Sequence, residues 1–206
     1  MPEKLTLYHA TPSRSGIARW MLEEVGEPYD IHFLSLSKGD NRAPDYLAVN
    51  PMGKVPALRH GDVVITEGAA ICTYLADEFP RAKLNVPVGD PRRGVYFKWL
   101  FFGPSCVEPA IMDRAYPRKD AAPRGALGYG EYDLMLDVLT KAVAKGPYLM
   151  GEQFTAADVV IGSGLRWGML FKLLPERPEF TAYTARLAER PALQRAQTKD
   201  KELAAA

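Results

Sequence analysis

The residues with the clearest chemical potential are Asn50-Pro51-Met52-Gly53-Lys54-Val55-Pro56, followed eleven residues later by Glu67-Gly68. The first stretch reads as a turn running into a short apolar strand. A second strand follows, and then an acidic residue opens a helix. Val55, just before Pro56, can offer its backbone N–H and C=O to a ligand if the Val55–Pro56 bond is cis, because the chain then turns out of the sheet. An X–Pro bond takes that form at small cost. Glu67 supplies a negative charge, and the helix after it supplies first-turn N–H groups without partners. One site therefore offers an acceptor for an ammonium group and donors for a carboxylate, as a small zwitterionic peptide requires.

These residues need a scaffold, and the pattern around them supplies one. Lys4-Leu5-Thr6-Leu7-Tyr8 alternates polar and apolar residues and reads as a strand. Thr11 to Gly16 is turn chemistry and a helix start. Ile17, Trp20, Met21, Leu22 and Val25 then share one helical face, which Gly26 ends. Tyr29 to Leu36 reads as a second strand and Pro44 to Val49 as a short polar helix. Val55 to Leu58 and Val63 to Ile65 form a hairpin about His60-Gly61-Asp62, and a helix over Ala69 to Phe79 carries Ile71, Leu75 and Phe79 in one stripe. The order β-α-β-α-β-β-α over residues 1–80 predicts a thioredoxin-like mixed sheet. Residues 81–90 read as a linker. From Arg92 onward helical patterns occupy about 92–115, 129–144, 156–173 and 179–190, so residues 91–206 read as all-α. The fold class is thus α/β followed by all-α, with Gly103-Pro104 predicting a kink in the first long helix.

Phe154-Thr155-Ala156-Ala157-Asp158 is a folding signal. Thr155 can cap a helix while Asp158, three residues on, reaches back to the Thr155 N–H; Phe154 is placed for a hydrophobic staple, with Val159 as its partner. These residues are read as structural.

Composition excludes several classes. The 206 residues carry a net charge of +1, which gives no global field for nucleic acid or an acidic membrane surface. No run of about 18 apolar residues is present to span a membrane. The N-terminus lacks a signal peptide's apolar segment, and Cys72 and Cys106 have neither metal nor disulfide spacing, so a cytoplasmic setting is expected. His9, His32 and His60 are scattered without Asp or Cys at ligand spacing, so no metal is expected. Cys72 reads as a core thiol, and Arg92, Arg93 and Lys98 as solvated faces or dimer contacts.

The two-part plan and four motifs in order resemble the cytosolic glutathione transferase family, in a bacterial-type member. The loop Asn50–Pro56 resembles the family's Asn-Pro-x-Gly-Lys-(Val/Ile/Leu)-Pro, and Thr66-Glu67-Gly68-Ala69-Ala70-Ile71 resembles its (Thr/Leu)-Glu-Ser-x-Ala-Ile helix start. Phe154–Asp158 resembles its capping box, and Glu189-Arg190-Pro191-Ala192-Leu193 its C-terminal Arg-Pro-Ala segment. The resemblance implies reduced glutathione as ligand and co-substrate. Val55 would pair with its cysteinyl backbone, cis-Pro56 would permit that pairing, Glu67 would bind the γ-glutamyl ammonium, and Lys54 would contact the glycyl carboxylate unless it is a plain surface lysine. Position 68, a serine in the family, is Gly68 here; the backbone donor stays and the hydroxyl is lost. Other implications are a detoxifying conjugation, a homodimer and a hydrophobic electrophile, whose pocket Tyr96, Phe102, Ser105, Met112 and Trp167 would line unless they are plain core.

A thiol such as glutathione's has a pKa of about 8.5, and only its thiolate is a good nucleophile. Hydrogen-bond donors and a helix N-terminus lower that value. The family places a Tyr, Ser or Cys donor near the first strand's end. Here Ser13 ranks first by position, Thr11 second because Thr11-Pro12 mimics a Cys-Pro pair, and Tyr8 third, with Ser15 also available; Arg14 can add positive field. Ser13 also reads as a helix cap and Tyr8 as strand core. No cysteine lies in this loop, which disfavours thiol–disulfide chemistry. The implied activity is conjugation of glutathione to electrophiles. The alternatives are a non-catalytic glutathione-binding or regulatory protein, or a glutathione-dependent peroxidase, isomerase or dehalogenase.

Overall fold

Leu5–His9 (β1) forms a strand because Leu5, Leu7 and His9 alternate with Thr6 and Tyr8, which sends the two sets to opposite faces. In the computed structural model, which describes residues 4–120 and 122–205, β1 is the second strand of a four-stranded sheet. It pairs in parallel with Tyr29–Phe33 (β2) and antiparallel with Ala57–His60 (β3), and β3 pairs antiparallel with Val63–Thr66 (β4). Gly16–Val25 (α1) makes the crossover from β1 to β2, Pro44–Leu47 (α2) precedes β3, and Gly68–Glu78 (α3) follows β4. This is the thioredoxin-like arrangement of the N-terminal half.

Most of the predicted elements are found, and the boundaries that move do so for local reasons. Gly26 ends α1 in the left-handed region (φ 82°), where its N–H bonds the Leu22 carbonyl at 3.0 Å. β2 stops at Phe33 rather than Leu36; Leu34 makes one last bond to the His9 carbonyl and the chain then turns through Ser35–Asp40. β3 begins at Ala57 rather than Val55, because Pro56 has no N–H for the ladder. At its other end His60 joins the strand and pairs with Val63, leaving Gly61–Asp62 as the turn, with Gly61 at φ 57°.

The chain divides into two compact units, Met1–Ala82 with Arg190–Ala206, and Lys83–Glu189. The reading of 91–206 as one helical region is corrected at its end: Pro191–Ala205 is a further helix (α9) that packs along α1 within the first unit. Its sequence is polar, and only Ala192, Leu193 and Ala196 are buried, which hides it from a hydrophobic pattern search. Charge holds it instead. Arg190 grips Glu24 with a two-point fork, Nε and Nη2 each 2.7 Å from a carboxylate oxygen. Buried Glu23 accepts hydrogen bonds from Lys199, from Arg195 Nε at 3.0 Å and from the Tyr29 hydroxyl at 2.5 Å. Burial pushes the Glu23 carboxyl up, but the bonds from Lys199, Tyr29 and Arg195 outweigh it and hold the group below its ordinary value. A depressed carboxyl stabilises the fold above its unfolded pKa, and that contribution fades as pH falls through its folded value. Glu23→Gln should therefore cost about 1 kcal/mol in urea unfolding at neutral pH and lose the difference from the parent protein in acid. The figure is small because Arg195 and Lys199 are half-exposed and rehydrate once released.

The second unit is helical. The first long helix predicted over 92–115 is Arg93–Phe102 (α4), a π-helical turn at Gly103–Val107 and Glu108–Ala115 (α5). Pro104 interrupts the hydrogen-bond ladder where the kink was expected. Gly103 serves a second purpose, since a Cβ there would lie 2.8 Å from Val160 Cγ1. Tyr132–Val143 (α6), Ala156–Leu170 (α7) and Pro178–Ala188 (α8) complete the unit. Ala157, Val159, Ile161 and Leu165 of α7 are buried, and α4 and α8 both pack against it. The capping box forms as the motif predicts, with the Thr155 N–H 2.9 Å from Asp158 Oδ2. Phe154, expected against Val159, has its ring edge-on to Tyr148 at 5.3 Å.

Candidate functional site

Strand register brings the sequence-predicted residues of the first unit together. Tyr8 pairs with Ala57, and Ala57 pairs with Thr66. The segment after β1, the segment before β3 and the segment after β4 therefore leave the sheet at the same end, on adjacent strands about 4.8 Å apart. Those segments carry Thr11 to Ser15, Lys54 to Pro56, and Glu67 with Gly68. A further contact ties two of them, because a Cβ on Gly68 would lie 3.9 Å from Ile17 in the first turn of α1.

The Val55–Pro56 bond is cis, as the family resemblance implies; Thr11–Pro12 is cis as well, which the sequence does not announce. Val55 lies outside the β1–β3 ladder and, among the described residues, its N–H and C=O have no hydrogen-bond partner. The carbonyl just before it is held hard: Lys54 C=O accepts from the Tyr46 hydroxyl at 2.5 Å and from Asn50 Nδ2 at 2.8 Å. Asn50 also accepts the Met52 N–H through Oδ1 at 3.1 Å, and its carbonyl takes the Gly53 N–H at 2.8 Å. Gly53 itself has φ 61°, and a Cβ on it would lie 2.7 Å from the Asn41 carbonyl oxygen, so the motif's glycine is required on two grounds. Asn50 and Tyr46 brace the backbone just before Val55, and the sequence reading gives them no role. Asn50 opens the recognised motif and could have been found there; Tyr46, whose phenol burial pushes up to about 12, sits in α2 without a signal.

Glu67 is exposed and caps α3 with φ 67° and ψ 118°, a left-handed conformation that costs a non-glycine residue of order 1–3 kcal/mol. Its carbonyl is used by Ile71 N–H at 2.9 Å, while the carboxylate makes no hydrogen bond among the described residues. The conformation sets Glu67 at the mouth of α3, where the first-turn N–H groups of Gly68, Ala69 and Ala70 have no helical carbonyl to bind. An acceptor for a cation and donors for an anion therefore lie side by side. Gly68 has no positive φ, and a Cβ added to it would meet nothing nearer than 3.9 Å, so the site has space for a larger residue.

The loop after β1 is a small hydrogen-bonded ring. Ser13 Oγ donates to the Ala10 carbonyl at 2.6 Å, lies 2.6 Å from Ser15 Oγ and accepts the Ser15 N–H at 3.1 Å. Ser15 is fully buried and also meets His9 Nδ1 at 2.8 Å. Thr11 is half-buried, and its hydroxyl makes no hydrogen bond among the described residues. Tyr8 is 9 % exposed, rings with His32 and Tyr46 at centroid distances of 4.9 and 5.7 Å, and takes a hydrogen bond from Arg59 Nε at 3.2 Å. It behaves as core.

In the helical unit, Tyr96 is wholly buried, Phe102, Met112 and Trp167 are half-buried, and Ser105 is exposed. Burial raises the thiols of both Cys72 and Cys106 above their ordinary value, which disfavours the thiolate at each. Among the described residues no three His, Cys, Asp or Glu side chains gather to hold a metal ion, and no helix is long and apolar enough to cross a membrane.

Comparison with known proteins agrees with this geometry. Residues 3–77 match the family model described as glutathione S-transferase, N-terminal domain, and residues 129–191 match that of its C-terminal domain. The chain is 32 % identical to the glutathione S-transferase GstA of Escherichia coli O157:H7, over 84 % of this chain and 87 % of that protein. A solved glutathione transferase from Methylococcus capsulatus str. Bath superposes with a TM-score of 0.81 at 30 % identity, covering 96 % of this chain and 98 % of the other. A glutathione transferase homolog from Sulfitobacter, solved with bound glutathione, gives a TM-score of 0.78 at 25 % identity, covering 95 % and 98 %. With a four-stranded thioredoxin-like sheet, a helical second unit and these likenesses over most of its length, the chain belongs to the glutathione S-transferase family.

Proposed function

We propose that this protein binds reduced glutathione and transfers its thiolate to an electrophilic small molecule. The observation that carries the reading is the register Tyr8–Ala57–Thr66, which collects an unpaired backbone edge at Val55, the Glu67 carboxylate with the α3 N-terminus, and the Thr11 hydroxyl. In this reading Val55 pairs with the cysteinyl backbone of the tripeptide like an added strand, with Pro56 turning the edge outward and Lys54 meeting the glycyl carboxylate. Glu67 takes the γ-glutamyl ammonium, and the Gly68 N–H takes its carboxylate. The thiol then lies over the loop after β1.

Of the candidate donors we rank Thr11 first and Ser13 second. Thr11 has an uncommitted hydroxyl, whereas the single Ser13 proton is engaged by the Ala10 carbonyl or Ser15. Catalysis then consists of stabilising the thiolate and positioning it. The electrophile is a hydrophobic molecule held by the helical unit. Exposed Val95 and Phe101 on α4 favour a homodimer, which sedimentation at micromolar concentration tests.

A second reading, glutathione binding without turnover, is favoured by Gly68, which lacks the hydroxyl that family members place on the γ-glutamyl carboxylate. Titration calorimetry with glutathione, followed by a spectrophotometric assay with glutathione and an aryl halide, separates the two. Binding with turnover supports the first; binding without turnover across a panel of electrophiles supports the second; no heat at millimolar glutathione removes both. Gly68→Ser should tighten glutathione about tenfold, since a hydrogen bond to a charged group contributes about 1.5 kcal/mol and the space is there. Unchanged affinity in Gly68→Ser would mean that the carboxylate sits elsewhere.

A further inference from the structure

Beneath the loop lies a chain of polar groups, with His9 and Ser15 buried at its centre and Asp200 and Ser13 partly exposed at its ends. Asp200 Oδ1, on α9, is 3.0 Å from His9 Nε2; His9 Nδ1 is 2.8 Å from Ser15 Oγ; Ser15 Oγ is 2.6 Å from Ser13 Oγ. His9 and Ser15 are both 0 % exposed. Arg19 Nη1 completes the group, 2.6 Å from Asp200 Oδ1 and 3.5 Å from His9 Nε2. Ser15–His9–Asp200 has the order of nucleophile, base and orienting carboxylate, but Ser15 cannot attack a substrate. Its Oγ is sealed from solvent and already ringed by the Ala10 N–H at 3.1 Å, the Ala10 carbonyl at 2.9 Å, and Ser13.

We propose that Asp200, acting through His9 and Ser15, is a positioning residue that locks the Ala10–Ser15 loop in the arrangement presenting Thr11 to the thiol. The proposal rests on the reading that this loop activates the thiol.

Proton accounting supplies the argument. The carboxylate 3.0 Å from Nε2 can only accept and assigns a proton to Nε2, while Arg19 Nη1, 3.5 Å from Nε2, donates to the nearer Asp200 Oδ1 at 2.6 Å. Nδ1 is then an acceptor, and the one proton of the Ser15 hydroxyl turns toward it. Ser15 Oγ is left to accept from the Ala10 N–H, while Ser13 accepts the Ser15 N–H and gives its own proton to the Ala10 carbonyl. Every hydroxyl proton in the ring has one direction. Without the carboxylate the ring can carry its proton on Nδ1. Ser15 then accepts from His9, its proton competes with that of Ser13 for the Ala10 carbonyl, and the two residues preceding Ser13 lose their fixed course. The C-terminal helix thus orients a loop far from it in sequence, by a carboxylate that never meets substrate.

The test is a titration of the thiol of bound glutathione, followed by thiolate ultraviolet absorbance against pH, in the full-length parent protein, Asp200→Asn, Asp200→Glu and Ser15→Ala. Asp200→Asn and Ser15→Ala should raise the bound thiol's pKa by about one unit, leaving about tenfold less thiolate at pH values below it. The calorimetric Kd for glutathione should stay unchanged, and Asp200→Glu should restore the parent titration. A merely structural role would weaken binding and stability without moving the thiol. Asp200→Asn that folds and titrates like the parent overturns the proposal. Should Asp200→Asn fail to fold, Ser15→Ala decides, since it cuts the relay while leaving Arg19 and Asp200 paired; a parent-like titration there also overturns it. A parent protein that binds glutathione without lowering its thiol pKa overturns the thiol-activation reading itself.

Discussion

Thr11→Val should lower turnover of glutathione with an aryl halide about a hundredfold at neutral pH, the usual loss on deleting one donor aimed at developing or full negative charge. Valine keeps nearly the shape of threonine and removes only the hydroxyl, which has no other partner among the described residues. Folding stability should therefore barely change. Glutathione affinity should also be nearly kept, because Val55, Glu67 and the α3 N-terminus hold the tripeptide by its backbone and its charged end. The loss belongs in kcat, and raising the pH should recover part of it as solvent removes the proton that Thr11 no longer helps to release. Ser13→Ala is the control. It strips the Ala10 carbonyl and the Ser15 N–H of a partner, so it should lower the unfolding midpoint as well as activity. If Thr11→Val works like the parent and Ser13→Ala loses turnover with its stability intact, Ser13 is the donor and the ranking is reversed.

How much of this site is legible in the sequence depends on the range of the interaction that makes it. The cis bond at Val55–Pro56 comes from the family resemblance of its loop, whereas the helix end at Gly26 and the capping box at Thr155 are local. Each of these two rests on residues within a few positions of one another, so residue type and spacing suffice to find them. The Asn50–Pro56 loop is legible as a motif, but its brace is only half so: Asn50 lies inside the motif, while Tyr46 reaches Lys54 from α2. The strained backbone of Glu67 has no signal in the residue type, since glutamate disfavours positive φ. The relay is invisible. His9 reads as one of three scattered histidines, and its partner Asp200 sits on a helix whose polar sequence gives no apolar face. That helix is held to α1 by Glu23, Glu24 and Arg19 pairing with residues some 170 positions away, and charge pairing at such separation leaves no periodic trace. The order of Ser13 over Thr11 comes from position along the strand; which hydroxyl is already spent is a matter of three-dimensional contacts.

Asp158→Ala should be the most destabilising of these substitutions, costing on the order of 4 kcal/mol in urea unfolding. The carboxylate is fully buried and accepts four hydrogen bonds: from Leu149 N–H at 2.8 Å, Thr155 N–H at 2.9 Å, Thr155 Oγ1 at 3.1 Å and the Tyr183 hydroxyl at 2.8 Å. Each buried donor left without a partner costs about 1–3 kcal/mol. The sum exceeds the expected loss because the carboxylate itself is costly to bury. Burial pushes its proton affinity up against the pull of those four bonds, and alanine removes that desolvation cost together with the bonds. Asp158→Asn tests the division. Its oxygen can keep two of the donors while its amide nitrogen faces the others, so about half the loss should remain. The consequence reaches past the cap, because Leu149 leads into α7 and Tyr183 belongs to α8. One side chain ties the start of the central helix to a neighbouring helix and to the turn before it. A loss of about 4 kcal/mol takes much of the 5–15 kcal/mol by which a domain is ordinarily stable, so Asp158→Ala should accumulate poorly at growth temperature and bind glutathione normally once folded in the cold. A midpoint within error of the parent's would mean that the helical unit is held by its apolar packing alone.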